Sequence, residues 1–205
     1  MHGTNRDVVS FHPSKMLRNP IHVTWLKADE TKIKIDVSNH WTVQTVEQAI
    51  ADLPNPFDSW RTLEEHCRRS YDHLTFANEF MRLVGFPYVR SIAEGICILL
   101  NVLDKLSTGI DEGGKRMLEG ETLYQTYFIG GDPYFTDESI PNKRDYKAKL
   151  TFPHPTDDKK TLFIPWHGKV NSPTNFPPVR IHFTWPVTSK GELYVAYVGS
   201  KLTMR

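Results

Sequence analysis

The stretch VRIHFTWPVTSKGELYVAYVGSKLTMR carries Arg180, His182, Lys201 and Arg205 within or just beyond two strand-like runs. Residues of these types can process a phosphodiester without a metal. A histidine with a pKa near ~6.5 takes or returns the proton of a ribose 2′-hydroxyl. Arginine and lysine hold phosphates and stabilise the crowded anionic transition state. His167 and Lys169, in the preceding TLFIPWHGKV, extend the set. The candidate catalytic residues are therefore His167, Arg180, His182 and Lys201. Lys149, Lys169, Arg205 and Trp166 are the candidate RNA contacts, and no metal or cofactor is required. The same side chains also suit a plainer role, as the solvent side of a sheet.

Strand alternation decides which of them can meet. Arg180, His182 and Thr184 share one face, and Ile181, Phe183 and Trp185 the other. In the run before, Phe163, Pro165, His167 and Lys169 lie opposite Leu162, Ile164, Trp166 and Val170. With the polar faces aligned, His167, Lys169, Arg180 and His182 gather on one open surface, and Lys201 and Arg205 reach its edge. YKAKLTF, TLFIPWHGKV, VRIHFTW and ELYVAYV, separated by short Pro, Asp, Asn and Gly clusters, predict a four-stranded antiparallel meander over 143–205.

Upstream the period becomes helical. Thr42 caps a short helix ending near Leu53. Trp60, Leu63, Cys67, Tyr71 and Leu74 recur at helical spacing behind Asp58 or Ser59. A third helix is expected over 77–84 and a weaker one over 115–128, while IGGDPYFTDESIPN reads as a loop. Val89, Ile92, Ala93, Ile96, Leu99, Leu100, Leu103 and Leu106 form the broadest apolar stripe, closed by Gly109. Residues 1–41 are irregular apart from a hairpin in HVTWLKADETKIKIDV, turning at 28–31. The fold class is α+β: a mostly helical N-terminal half, with its helices over 42–130, packed on the C-terminal meander as one compact unit. Ile181 and Phe183 should pack against the helix that carries Ile92, Ile96 and Leu99.

Of the 205 residues 39% are hydrophobic and 12% aromatic, enough for a packed core rather than a disordered coil. No apolar run reaches the ~20 residues that span a bilayer. The first twenty residues lack the charged-then-apolar order of a signal peptide. A cytoplasmic protein without membrane attachment is expected, and Cys67 and Cys97 suit that reducing compartment. The formal net charge of +1 hides an asymmetry. From Lys143 onward, 11 Lys and Arg stand against 4 Asp and Glu, while the preceding residues are acidic in balance. Either the two halves attract each other, or the basic one faces a polyanion.

LFIPWHGKV, VRIHFTW and LYVAYVGSKLTMR together resemble the ending of RelE/ParE-type toxins, especially their HigB-like branch. That ending has a strand closing on a cation, an R-I-x-F-like strand, and a final strand followed by Lys and Thr. The resemblance covers about the last fifty residues, and this chain is about twice the usual length of such toxins. It implies a small α/β domain that cuts messenger RNA without metal, with an antitoxin or other protein as partner. It further implies Arg180 and Lys201 as phosphate or transition-state residues and His167 or His182 as acid or base. In the helical half, Arg68 and His73 have the R-x4-H spacing of HEPN ribonucleases, and Arg61 and His66 repeat it. Five residues on a helix are offset by about 140°, so each pair shares a side only loosely.

Other chemistry is disfavoured. Asp132, Asp137 and Glu138 offer oxygen ligands for a divalent cation, and equally turn or cap roles. Two cysteines make no zinc site without a matching His pair. There is no Gly-Lys-Ser/Thr phosphate loop, G-x-S-x-G or dinucleotide fingerprint. Three functions remain: an RNA-binding, metal-independent ribonuclease of toxin or defence type, a non-catalytic nucleic-acid-binding or assembly subunit, or HEPN-like cleavage by the helical half in a dimer.

Overall fold

The computed structural model describes residues 8–9, 19–26, 30–46, 57–111, 113–157, 159–187 and 193–204. The chain divides into two units, Met1–Asn55 and Pro56–Arg205. In the first, β1 (Val8–Val9) runs parallel to β4 (Asn39–His40). The alternating residues of the expected hairpin form β2 (Ile21–Leu26) and β3 (Lys32–Val37), antiparallel, with Ile21 opposite Val37. Residues 43–46 are helical behind Thr42, whose hydroxyl accepts the Thr45 N–H at 3.2 Å. The remainder of the helix expected there, like residues 28 and 29 of the turn, lies outside the described residues.

The second unit begins with α1 (Trp60–Ser70). Ser59 caps it reciprocally: its hydroxyl accepts the Thr62 N–H at 3.2 Å, and the Thr62 hydroxyl accepts the Ser59 N–H at 3.1 Å. Trp60, Leu63 and Cys67 are buried, as their spacing predicts. β5 (Thr75–Phe76) follows. Next come α2 (Arg90–Thr108), which buries the broad apolar stripe, and α3 (Leu118–Phe128). The two helices meet backbone to backbone, since a Cβ on Gly120 would lie 2.2 Å from the Gly109 carbonyl oxygen. After β6 (Phe135–Thr136), Ser139 caps α4 (Ile140–Asp145). The remaining strands are β7 (Thr151–Pro153), β8 (Thr161–Phe163), β9 (His167–Val170), β10 (Val179–Phe183) and β11 (Tyr194–Ser200).

These strands do not form the expected four-stranded antiparallel meander. The main sheet has five strands in the order β5-β11-β10-β9-β6, with β5 parallel to β11, and β7 and β8 pair separately. The run 161–170 splits at Pro165, which has no N–H for a ladder, into β8 and β9 on different sheets. Residues 146–150 make a turn instead of opening a strand. One edge strand, β5, comes from the region read as helical and the other, β6, from the stretch read as a loop, so helices and sheet interleave in one unit instead of stacking half on half. The helix expected over 77–84 is absent too. That segment runs along β11, which accepts the Ala77 and Arg82 N–H groups and donates from Val198 to the Phe80 carbonyl. So short a helix is marginal in isolation, and the edge of β11 satisfies the same backbone groups.

Val179, Ile181, Phe183, Val195 and Val198 share the main core with Ile92, Ile96 and Leu99 of α2. A smaller cluster on the opposite face joins Ile164, Tyr194 and Ala196 to Phe152 and Leu162. Residues 138–157 and 159–165 thus cross that face as a strap. Among the described residues, no helix is long and apolar enough to cross a membrane.

Candidate functional site

Register assembles the polar set. β10 pairs with β9 so that His182 lies opposite His167 and Arg180 opposite Lys169. Directly opposed side chains stand about 5 Å apart, and the two imidazole centroids are 5.6 Å apart. The face is not open, however. His182 is 1% exposed and His167 6%. The Phe152 ring lies 5.8 Å from His182, with Tyr197 on another side at 5.7 Å. The expectation of a solvent-facing histidine surface is corrected by the strap, whose apolar residues cover it.

At the start of the strap Glu138 organises a buried polar cluster. Its carboxylate accepts from Asn142 Nδ2 at 2.7 Å and from the Thr203 hydroxyl at 3.1 Å. His167 Nδ1 stands 3.5 Å from the same carboxylate, and its Nε2 meets the Thr136 hydroxyl at 3.2 Å. His182 Nδ1 faces the Ile164 carbonyl at 3.2 Å. A carbonyl only accepts, so the proton sits on Nδ1 and leaves Nε2 a bare acceptor. Neither that Nε2 nor Arg180 Nε has a partner among the described residues, although Arg180 Nη1 donates to the Val179 carbonyl at 2.8 Å.

Burial decides the protonation states. It pulls His182 down to about 4, and the neighbouring His167 adds to the effect. His167 is lowered by the same desolvation, opposed by the Glu138 carboxylate. The Arg180 guanidinium is also lowered by burial, again with Glu138 opposing. Two neutral imidazoles, a carboxylate and a guanidinium have the composition of an acid–base centre. None of His167, Arg180 and His182 lines the hollows of about 520, 270 and 150 Å³ on the described surface.

The other candidates are dispersed. Lys201 is half-buried and its N–H donates to the Pro178 carbonyl. Trp166 packs at the core edge, 5.9 Å from Phe128 and 6.4 Å from Trp185 between ring centroids. Lys149 is exposed beside the Tyr146 ring, 5.3 Å from its centroid. Arg205 lies outside the described residues. Arg68 and His73 serve separate contacts. Arg68 binds Glu64 and the Ala77 and Asn78 carbonyls, and His73 Nδ1 lies 3.2 Å from Asp104. Asp132, Asp137 and Glu138 also part company, to Lys169, Lys143 and Asn142. Among the described residues no group of three His, Cys, Asp or Glu could hold a metal ion.

Lys169 opens instead on a feature that strand alternation does not reveal. A groove of about 520 Å³ lies between α2, α3 and β9, with Glu94, Ile98, Tyr127, Tyr134, Lys169 and Asn171 on its walls. A neighbouring hollow of about 150 Å³ shares Tyr134, Lys169 and Asn171. Tyr127 and Tyr134 come from segments read as a weak helix and a loop, and nothing in their spacing links them to Lys169. Compared with protein-family models, curated proteins and solved structures, the chain finds no match.

Proposed function

We propose that the unit 56–205 is a non-catalytic module that binds single-stranded RNA through its basic strap. The observation that carries this reading is the set Lys147, Lys149 and Lys159. All three are exposed, and none forms an ion pair with a described acidic residue. They stand in the part of the chain that has 11 basic residues against 4 acidic ones. The burial of His167 and His182 favours binding over cleavage, because the strap leaves a 2′-hydroxyl no route to them. A cytoplasmic location accords with the free thiols of Cys67 and Cys97.

Three phosphate contacts predict a slope of about −2 for log affinity against log salt, or roughly 15-fold weaker binding at 200 mM than at 50 mM. Anisotropy titrations of a labelled oligoribonucleotide test this, with Lys147, Lys149 and Lys159 changed together to Ala as the comparison. Binding that ignores salt, or survives the triple substitution unchanged, overturns the reading.

A second reading is a metal-independent ribonuclease, in line with the toxin-like ending of the chain and an antitoxin as its protein partner. Its support is that two of the four buried side-chain atoms without a partner among the described residues, Arg180 Nε and His182 Nε2, belong to this set, since most buried polar atoms are hydrogen-bonded. Cleavage of RNA in EDTA that falls about 10²–10⁴-fold in His167→Ala would establish it. Intact RNA after prolonged incubation leaves the binding module.

A further inference from the structure

We propose that the groove between α2, α3 and β9 holds one nucleotide of a bound RNA strand, its base against Tyr134 and its phosphate in Asp132's place on Lys169. The class of the occupant rests on the RNA-binding reading. The geometry of the groove stands independently of it.

The volume, about 520 Å³, lies in the usual range for small-molecule sites. Tyr134 is 45% exposed, with its centroid 5.6 Å from that of Tyr127. A phenol braced on one side and open to solvent is a platform for a base, because every nucleobase has a π face. Its position is fixed by backbone: the Tyr134 carbonyl accepts the Lys169 N–H at 2.8 Å, which locks the ring's segment beside the ammonium.

Lys169 already holds an anion. Its ammonium donates to Asp132 at 3.0 Å, yet that carboxylate is 93% exposed. Surface pairs of this kind contribute little, so Asp132 is a replaceable counter-ion. A phosphate, with more acceptor oxygens, competes directly for the same ammonium. Asn171 adds an amide that can donate and accept at a base edge. Glu94, held by Arg90 at 2.7 Å, repels a phosphate and so favours the orientation with phosphate at Lys169. The adjoining hollow shares Lys169, so a strand has room to continue past its phosphate.

The test titrates the full chain with an unstructured 12-residue oligoribonucleotide and, separately, with cytidine monophosphate. Tyr134→Ala and Lys169→Ala should each weaken the oligomer about tenfold. Asp132→Asn should tighten it several-fold, whereas Glu119→Gln, which removes an exposed charge outside the groove, should not. Asp132 is on the surface, so its substitution leaves the fold intact and the sign of its effect is decisive. If Asp132→Asn matches Glu119→Gln and Tyr134→Ala binds normally, the groove proposal falls. Loss of binding in the triple lysine variant would then still uphold the RNA reading. If the oligomer does not bind but cytidine monophosphate shifts the Tyr134 and Lys169 resonances, the groove stands as a nucleotide site and the RNA reading falls.

Discussion

A histidine sealed beneath an aromatic ring makes a fold sensitive to acid. His182 titrates near 4 in the folded chain and near ~6.5 when unfolded. The unfolded state therefore binds the extra proton first. Stability is complete above pH ~6.5 and declines as pH falls towards 4, by about 3 kcal/mol from this residue. Urea denaturation across that window should show the slope, and His182→Asn, which keeps a donor for the Ile164 carbonyl, should flatten it. Thr203→Val removes a hydrogen bond to the buried Glu138 carboxylate and should cost about 1.5–3 kcal/mol at pH 7, measured the same way. At this scale the alternation of Arg180 and His182 against Ile181 and Phe183 was legible. The covering of His182 was not, because a period of two says which residues share a face and nothing about what lies over it. Glu138 was visible only as a loop acid, since its partner Thr203 stands 65 residues away.

Among the elements, α2 was the easiest to read, because its stripe faces one core along its whole length. Phe183 belongs to the same core, and Phe183→Ala should cost about 3–5 kcal/mol in thermal unfolding. The junction of α2 and α3 is tighter than their sequences suggest. A methyl group on Gly120 would meet the Gly109 carbonyl, so Gly120→Ala should destabilise by about 1–3 kcal/mol, which calorimetry would register. β5 and β6 escaped notice for a physical reason. Two residues are too few for any hydrophobic period, and both owe their strand conformation to partners far along the chain. Residues 77–84 illustrate the same rule, since their apolar content suited a helix until β11 offered better hydrogen bonds.

For the whole molecule, the division after Asn55 separates a small hairpin unit from one that contains both apolar clusters. A fragment spanning 56–205 should unfold cooperatively, at a midpoint within a few degrees of the second unit's transition in the full chain, by circular dichroism. Loss of cooperativity in the fragment would show that the first unit is needed to complete the second. The charge asymmetry was legible from composition alone. Its local cancellation was not, because Lys143, Lys160 and Lys169 find acidic partners only once the loops are in place.

β11 lies inside the sheet, flanked by β5 and β10, although it is made after both. On the ribosome, α1, α2 and β10 therefore emerge before the strand that joins them. Until residues 193–200 arrive, β10 presents an unpaired edge and the core lacks Leu193, Val195 and Val198. Any folding intermediate in which 193–200 has not yet docked carries that open edge, so the refolding yield should fall as protein concentration rises.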